Sequence, residues 1–142
     1  MERGEAVKLL LDTHIWLWSF LQPERLIPRV SGALEDPETE LWLSPISVWE
    51  ALMLAERNRI RLDPTPEQWV REALRRVPMV EPALNREVAI QSRRLSIPTE
   101  DPADRFIAAT ALVHELTLAT HDRNLLEIDG VTVLSNRRGT AD

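Results

Sequence analysis

The chain contains no cysteine, which excludes disulfides, thiolate catalysis and cysteine zinc sites and agrees loosely with a reducing compartment. Lysine is nearly absent as well. Lys8 is the only lysine among 17 basic residues, the rest being arginine, so lysine-dependent chemistry has one candidate, near the amino terminus. Glycine is confined to Gly4, Gly32, Gly130 and Gly139. None sits at a strand-to-helix turn, where backbone donors of a nucleotide-binding fold approach phosphate or a serine hydrolase places its nucleophile. No stretch approaches the roughly 18 to 20 apolar residues of a membrane span. The start Met1-Glu2-Arg3-Gly4-Glu5 is too charged for a signal peptide, and the expectation is a cytoplasmic protein. Repeats, low-complexity tracts and linkers are also missing. With 142 residues and 44% apolar content, the expectation is a single domain with its core at about residues 7–135 and loose ends at Met1–Glu5 and Arg137–Asp142.

The apolar pattern alternates between short runs and helical periodicity. Val7 to Leu11 is a nearly continuous apolar run, as expected of a parallel strand covered on both faces. After Asp12, the residues Ile15, Trp16, Trp18 and Leu21 recur at helical spacing with Thr13 as a possible cap, and Pro23 ends the segment. A short helix from Pro28 to Leu34, a turn at Glu35-Asp36-Pro37-Glu38 and a strand at Leu41–Leu43 follow. Ser44-Pro45 opens a helix running to about Arg57. Thr65-Pro66-Glu67-Gln68 has the form of a capping box for a helix reaching Arg76. Met79-Val80 suggests a brief strand, and Asn85 a cap for a helix to about Leu95. Asp101-Pro102-Ala103-Asp104 introduces an apolar helix to His114, with strands at Leu116–Thr120 and Val131–Leu134. Strands alternating with helices predict a three-layer α/β fold whose central, mainly parallel sheet of four to five strands binds ligands outside its carboxyl ends.

Asp12, Glu50, Asp104 and Asp122 all fall on that edge. Taken singly, Asp104 reads equally well as a first-turn helix acid, and Asp122 as a turn residue. Glu50 is harder to explain, because it interrupts the apolar run Val48-Trp49-Glu50-Ala51-Leu52. Asp12 ends a buried strand with no basic residue beside it in sequence. Clustered carboxylates raise one another's pKa values, a conflict that a divalent cation removes. With oxygen ligands, and with no paired zinc spacing among His14, His114 and His121, the pattern points to Mg²⁺ or Mn²⁺. The chemistry implied is metal-assisted phosphodiester hydrolysis. A haloacid-dehalogenase phosphatase would need an acid where His14 stands and a downstream lysine. A receiver domain would need a late lysine, which is missing too.

The segments Leu10-Leu11-Asp12-Thr13-His14, Ser44-Pro45-Ile46-Ser47-Val48-Trp49-Glu50, Asp101-Pro102-Ala103-Asp104-Arg105 and Leu118-Ala119-Thr120-His121-Asp122 resemble, in order and spacing, the signature regions of PIN-domain ribonucleases. The likeness is greatest to VapC-type toxins of toxin–antitoxin pairs. This resemblance implies a PIN-like parallel sheet flanked by helices, a homodimer, Mg²⁺- or Mn²⁺-dependent cleavage of single-stranded RNA, and an antitoxin whose arm blocks the acidic cleft. It implies Asp12 and Asp104 as principal metal ligands, with Glu50 and Asp122 completing the site directly or through water. Thr13 and Thr120 become hydroxyl donors to water, phosphate or a carboxylate. Asp101 reads as the helix cap, with metal-bound water as the alternative. Other readings left open are an RNA-processing PIN nuclease and a non-catalytic binding module that keeps the acidic site.

Net charge is −6, an apparent obstacle to polyanion binding, but local patches steer a phosphate backbone more than the total does. Arginines cluster at Arg57-Arg59-Arg61, Arg71-Arg75-Arg76 and Arg93-Arg94, as a solvated face or as RNA contacts. Arg105 and Arg123 adjoin proposed site acids and would contact RNA or pair with a carboxylate. Trp16, Trp18, Trp42 and Trp49 lie in apolar elements and read as core or dimer packing rather than base-stacking surfaces; Trp69 fits either.

Overall fold

The computed structural model describes residues 6–138; the expected loose start at Met1–Glu5 and the tail after Arg138 lie outside the described residues. In chain order the elements are β1 (Lys8–Leu11), α1 (Thr13–Leu21), α2 (Pro28–Glu35), β2 (Glu40–Trp42), α3 (Pro45–Glu56), α4 (Pro66–Arg76), α5 (Arg86–Arg94), α6 (Pro102–His114), β3 (Thr117–Thr120) and β4 (Val133–Ser135). Single 3₁₀ turns stand at Pro23–Arg25 and Arg123–Leu125. Among the described residues no helix is long and apolar enough to cross a membrane.

The sheet is parallel throughout in the order β2-β1-β3-β4. Its two faces bury alternate residues of the same strand. Leu9 and Leu11 join Ile15, Trp16 and Ala119 on one side, while Leu10 joins Ile107, Ala108, Ala111 and Leu118 on the other. Leu9, Leu10 and Leu11 are fully buried, each contributing about 1.5 to 3 kcal/mol relative to exposure. That double coverage explains why β1 reads as a continuous apolar run. Val7 is half exposed and precedes the strand. From β1 the chain moves outward to β2, then crosses back to β3 on the other side of β1. This reversal opens a crevice at the carboxyl ends of β1 and β3.

Side-chain caps set the helix starts. Ser44, Thr65, Asn85 and Asp101 accept from the backbone N–H of Ile46, Gln68, Val88 and Asp104, each contact worth about 1 kcal/mol. Proline stands in the first turn of α2, α3, α4 and α6, where its missing N–H costs nothing. Gln68 meets the Thr65 hydroxyl instead of reaching back to the backbone. At α1 the cap is Asp12, not Thr13: the aspartate accepts from Thr13 N–H, which frees the threonine hydroxyl for another partner. The expected strand at Met79-Val80 reduces to a bridge between Val80 and Trp42. Of the tryptophans expected in core or dimer packing, Trp49 is outside the core, at 54% exposed.

Arg105 also departs from expectation. It is buried and donates to three backbone carbonyls: Nε to Ser92 at 2.7 Å, Nη1 to Thr99 at 2.7 Å, and Nη2 to Leu95. Its donors are spent on the last turn of α5 and the loop that leads to α6, so Arg105 neither faces RNA nor pairs with a site carboxylate. It fixes the loop that delivers Asp101 and Asp104. Arg105→Ala should lower stability in urea by about 3 kcal/mol by orphaning three carbonyls, and Arg105→Lys should recover only part, because one ammonium cannot span the fork. An alanine variant within about 0.5 kcal/mol of wild type would contradict this role.

Candidate active site and metal centre

Each site acid is delivered by a different element. Asp12 follows the last residue of β1, Glu50 lies midway along α3, Asp104 is in the first turn of α6, and Asp122 caps the 3₁₀ turn after β3. They converge, together with Asp101, on one cavity of about 630 Å³ at the crevice. The remaining wall includes His14, Trp18, Arg25, His121, Arg123 and Arg137. Arg123 thus lines the cavity beside Asp122. The arginines at Arg61, Arg71, Arg75 and Arg93 are instead ion-paired with nearby acids.

Hydroxyls hold two of the carboxylates. Thr120 Oγ1 donates to Asp12 Oδ2 at 2.7 Å and accepts from Asp122 N–H at 3.0 Å, linking the ends of β1 and β3. Thr13 Oγ1 donates to Glu50 Oε1 at 2.6 Å, with Ser47 Oγ 3.0 Å away. Ser47 precedes Glu50 by three residues on the same helical face and is fully buried. Asp101 is the α6 cap, accepting from Asp104 N–H at 3.1 Å, and it also lines the cavity. Asp104 Oδ2 is within 3.4 Å of Thr99 Oγ1.

The electrostatics are those of carboxylates that are buried and crowded together. Burial pushes the Asp12 carboxyl up to about 6, with Glu50 adding to the rise and bonds from Thr120 and Thr13 N–H opposing it. Asp104 is pushed up to about 8, first by burial and then by the charges of Asp12, Asp122 and Asp101, with a hydrogen bond to Asp122 acting in the same direction. Both groups therefore favour the protonated state relative to a free carboxylate.

This arrangement fits a hard divalent cation. The donors are carboxylate oxygens, and the charge that makes Asp12 and Asp104 bind protons more tightly than a free carboxylate is what a cation would neutralise. Among the described residues no three His, Asp or Glu side chains form a group that encloses a metal ion by itself. Mg²⁺ does not require one, since it keeps several waters and uses one or two carboxylates.

Because the folded-state pKa values lie above the ordinary 3.8, the metal-free folded protein holds protons that the unfolded chain releases. Its stability is thus greatest at low pH on this account and falls as pH rises from about 4 to 8. Asp104→Asn should stabilise the metal-free protein at pH 8 by on the order of 1 kcal/mol after discounting for solvent screening. It should also flatten the decline, as read from denaturation at several pH values. A variant less stable than wild type at pH 8 would refute a cost of burying and crowding the Asp104 charge.

Sequence reading missed Ser47, Trp18, Arg25 and Arg137 as cavity or support residues. Only Ser47 carried a signal, as a polar residue one helical turn before Glu50.

The PIN domain model matches residues 9–131. The chain is 38% identical over 120 residues to Ribonuclease VapC22 of Mycobacterium tuberculosis, covering 82% of this chain and 88% of that protein. The fold is similar to VapBC2 from Rickettsia felis, solved bound to a promoter DNA fragment, with a TM-score of 0.66 at 14% identity over 91% of this chain and 98% of that one. A toxin–antitoxin complex from Klebsiella pneumoniae gives a TM-score of 0.61 at 24% identity, again over 91% and 98%. With the acidic crevice in the place that the four sequence segments predict, and with a family model spanning nearly all of the described residues, the chain belongs to the PIN domain family.

Proposed function

We propose that this protein is a metal-dependent endoribonuclease that hydrolyses phosphodiester bonds in single-stranded RNA and acts as a toxin neutralised by an antitoxin. The observation that carries the reading is the convergence of Asp12, Glu50, Asp104 and Asp122 on one cavity, where burial and mutual charge raise the carboxyls of Asp12 and Asp104 above the ordinary range. A 38% identical relative named as a ribonuclease supports the chemistry. Fold neighbours solved as two-component complexes support the partner.

In this reading Asp12 and Asp104 hold Mg²⁺ or Mn²⁺, with Glu50 and Asp122 directly or through water. A divalent cation held by these carboxylates would supply a more acidic attacking water and charge neutralisation at the phosphodiester. Thr120 keeps Asp12 in one orientation, and Thr13 does the same for Glu50. Glu50, with Oε1 fixed, offers its other oxygen as acceptor for a water proton. Arg123 at the cavity rim takes RNA phosphate. Residues 7–135 act as one PIN-like domain in the cytoplasm, and the exposed indole of Trp49 supports a homodimer contact.

Purified protein should cleave unstructured RNA in Mg²⁺ or Mn²⁺ and stop when EDTA is added. Asp12→Asn and Asp104→Asn should each reduce kcat/KM at least about 100-fold while circular dichroism stays native. Cleavage that survives both substitutions would reject the assignment.

A further inference from the structure

We infer that Arg25 and Arg137 form a phosphate clamp beside the acidic centre, which takes a backbone phosphate flanking the cut in single-stranded RNA. Trp18 and Asn136 are its positioning residues. The inference rests on the ribonuclease reading and deepens it by assigning the substrate-binding wall of the same cavity.

The two arginines come from opposite ends of the chain, and a buried asparagine brings them together. Asn136 is 1% exposed. Its Nδ2 donates to the Arg25 carbonyl at 3.0 Å and its Oδ1 accepts from Ile27 N–H at 2.8 Å. Its backbone N–H donates to the Thr120 carbonyl at 2.7 Å. The 3₁₀ turn carrying Arg25 is thereby tied to the end of β3, within reach of the residues that hold Asp12. Arg137, the next residue along, was expected in a loose tail. It is half-buried, and its Nη1 donates to the His121 carbonyl at 2.9 Å.

Trp18 sets the direction of Arg25. The guanidinium carbon stands 4.2 Å from the Trp18 ring centroid, a cation–π contact that holds the charged group over the indole. The indole is in turn braced by His121, edge-on at 5.1 Å, and by His14 at 5.6 Å. Arg25 otherwise makes one long contact, Nη1 to Gln22 Oε1 at 3.3 Å. Among the described residues neither Arg25 nor Arg137 is ion-paired, although five carboxylates line the same cavity. A guanidinium keeps several donors in a fork that matches phosphate. A polyanion entering a wall of carboxylates needs such cations at its flanks, and these two are already oriented.

The test is steady-state cleavage of a short, mixed-sequence, fluorogenic single-stranded oligoribonucleotide in saturating Mn²⁺, from about 50 to 200 mM KCl. Arg25→Ala and Arg137→Ala should each raise KM about tenfold at low salt with kcat within about twofold. Each should also reduce the slope of log(kcat/KM) against log[salt] by about 0.7. Arg25→Lys should keep the slope, because the charge remains, yet raise KM, because the fork and the stacking are lost. Trp18→Leu should raise KM, and adding Arg25→Ala to it should cost less than Arg25→Ala alone. Urea denaturation checks that each variant is folded. A double arginine variant with wild-type KM and slope, or one that loses kcat alone, overturns the clamp while wild-type cleavage leaves the nuclease reading standing. If that variant cleaves normally but binds the antitoxin more weakly, the clamp is likewise overturned, and the arginines belong to a protein interface. Wild type that neither binds nor cleaves the oligonucleotide overturns both readings.

Discussion

Like-charge crowding at the carboxyl edge of a parallel sheet organises this protein. Asp12, Asp104, Asp122 and Glu50 are brought within electrostatic range of one another by strands and helices whose own stability comes from elsewhere, chiefly the leucines of β1 and the small side chains of α6 that pack on it. Folding therefore works against the acids. The protein compensates locally with the Thr120 and Thr13 hydroxyls and with the donor-rich starts of α1 and α6. The compensation is partial, as the upward displacement of Asp12 and Asp104 shows. Stability given up at a site of this kind is characteristic of function.

The supporting parts follow from that constraint. Asp104 reaches the cavity only if the loop before α6 is fixed, and the three carbonyl contacts of Arg105 fix it. Thr120 serves Asp12 and Asp122 together, so the two central strands share one anchor. Asn136 extends the same anchor outward to Arg25. The acidic centre and the basic rim thus rest on one strand end, and displacement of β3 would disturb both.

Much of this was legible in the sequence because it is local. Continuous apolar runs marked strands buried on both faces, and Ser44, Asn85 and Asp101 marked helix starts by a backbone-capping chemistry that needs no tertiary information. Asp12 and Glu50 stood out because one closed a buried strand and the other broke an apolar segment, whereas Asp104 and Asp122 gained meaning by falling on the same edge. Arg105 was misleading for a geometric reason: adjacent helical residues point about 100° apart, so proximity to Asp104 in sequence placed it on the inward face instead of the cavity. The same rotation puts Trp49 outside while Glu50 lines the cavity. Thr13 gave up the cap to Asp12 because only one side chain can take the first free N–H. Arg25 and Arg137 were out of reach, since their meeting depends on a long-range asparagine contact in a segment that reads as a tail.

The claim that the crowded carboxylates exist to hold a divalent cation is tested most directly by Mn²⁺ titration calorimetry with parallel thermal melts. Wild type should bind Mn²⁺ and, at about 100 times the dissociation constant, gain roughly 5 to 10 °C in Tm. Asp12→Asn and Asp104→Asn, although folded, should lose most of both signals. Mn²⁺ binding and a Tm gain that persist unchanged in both variants would contradict the account.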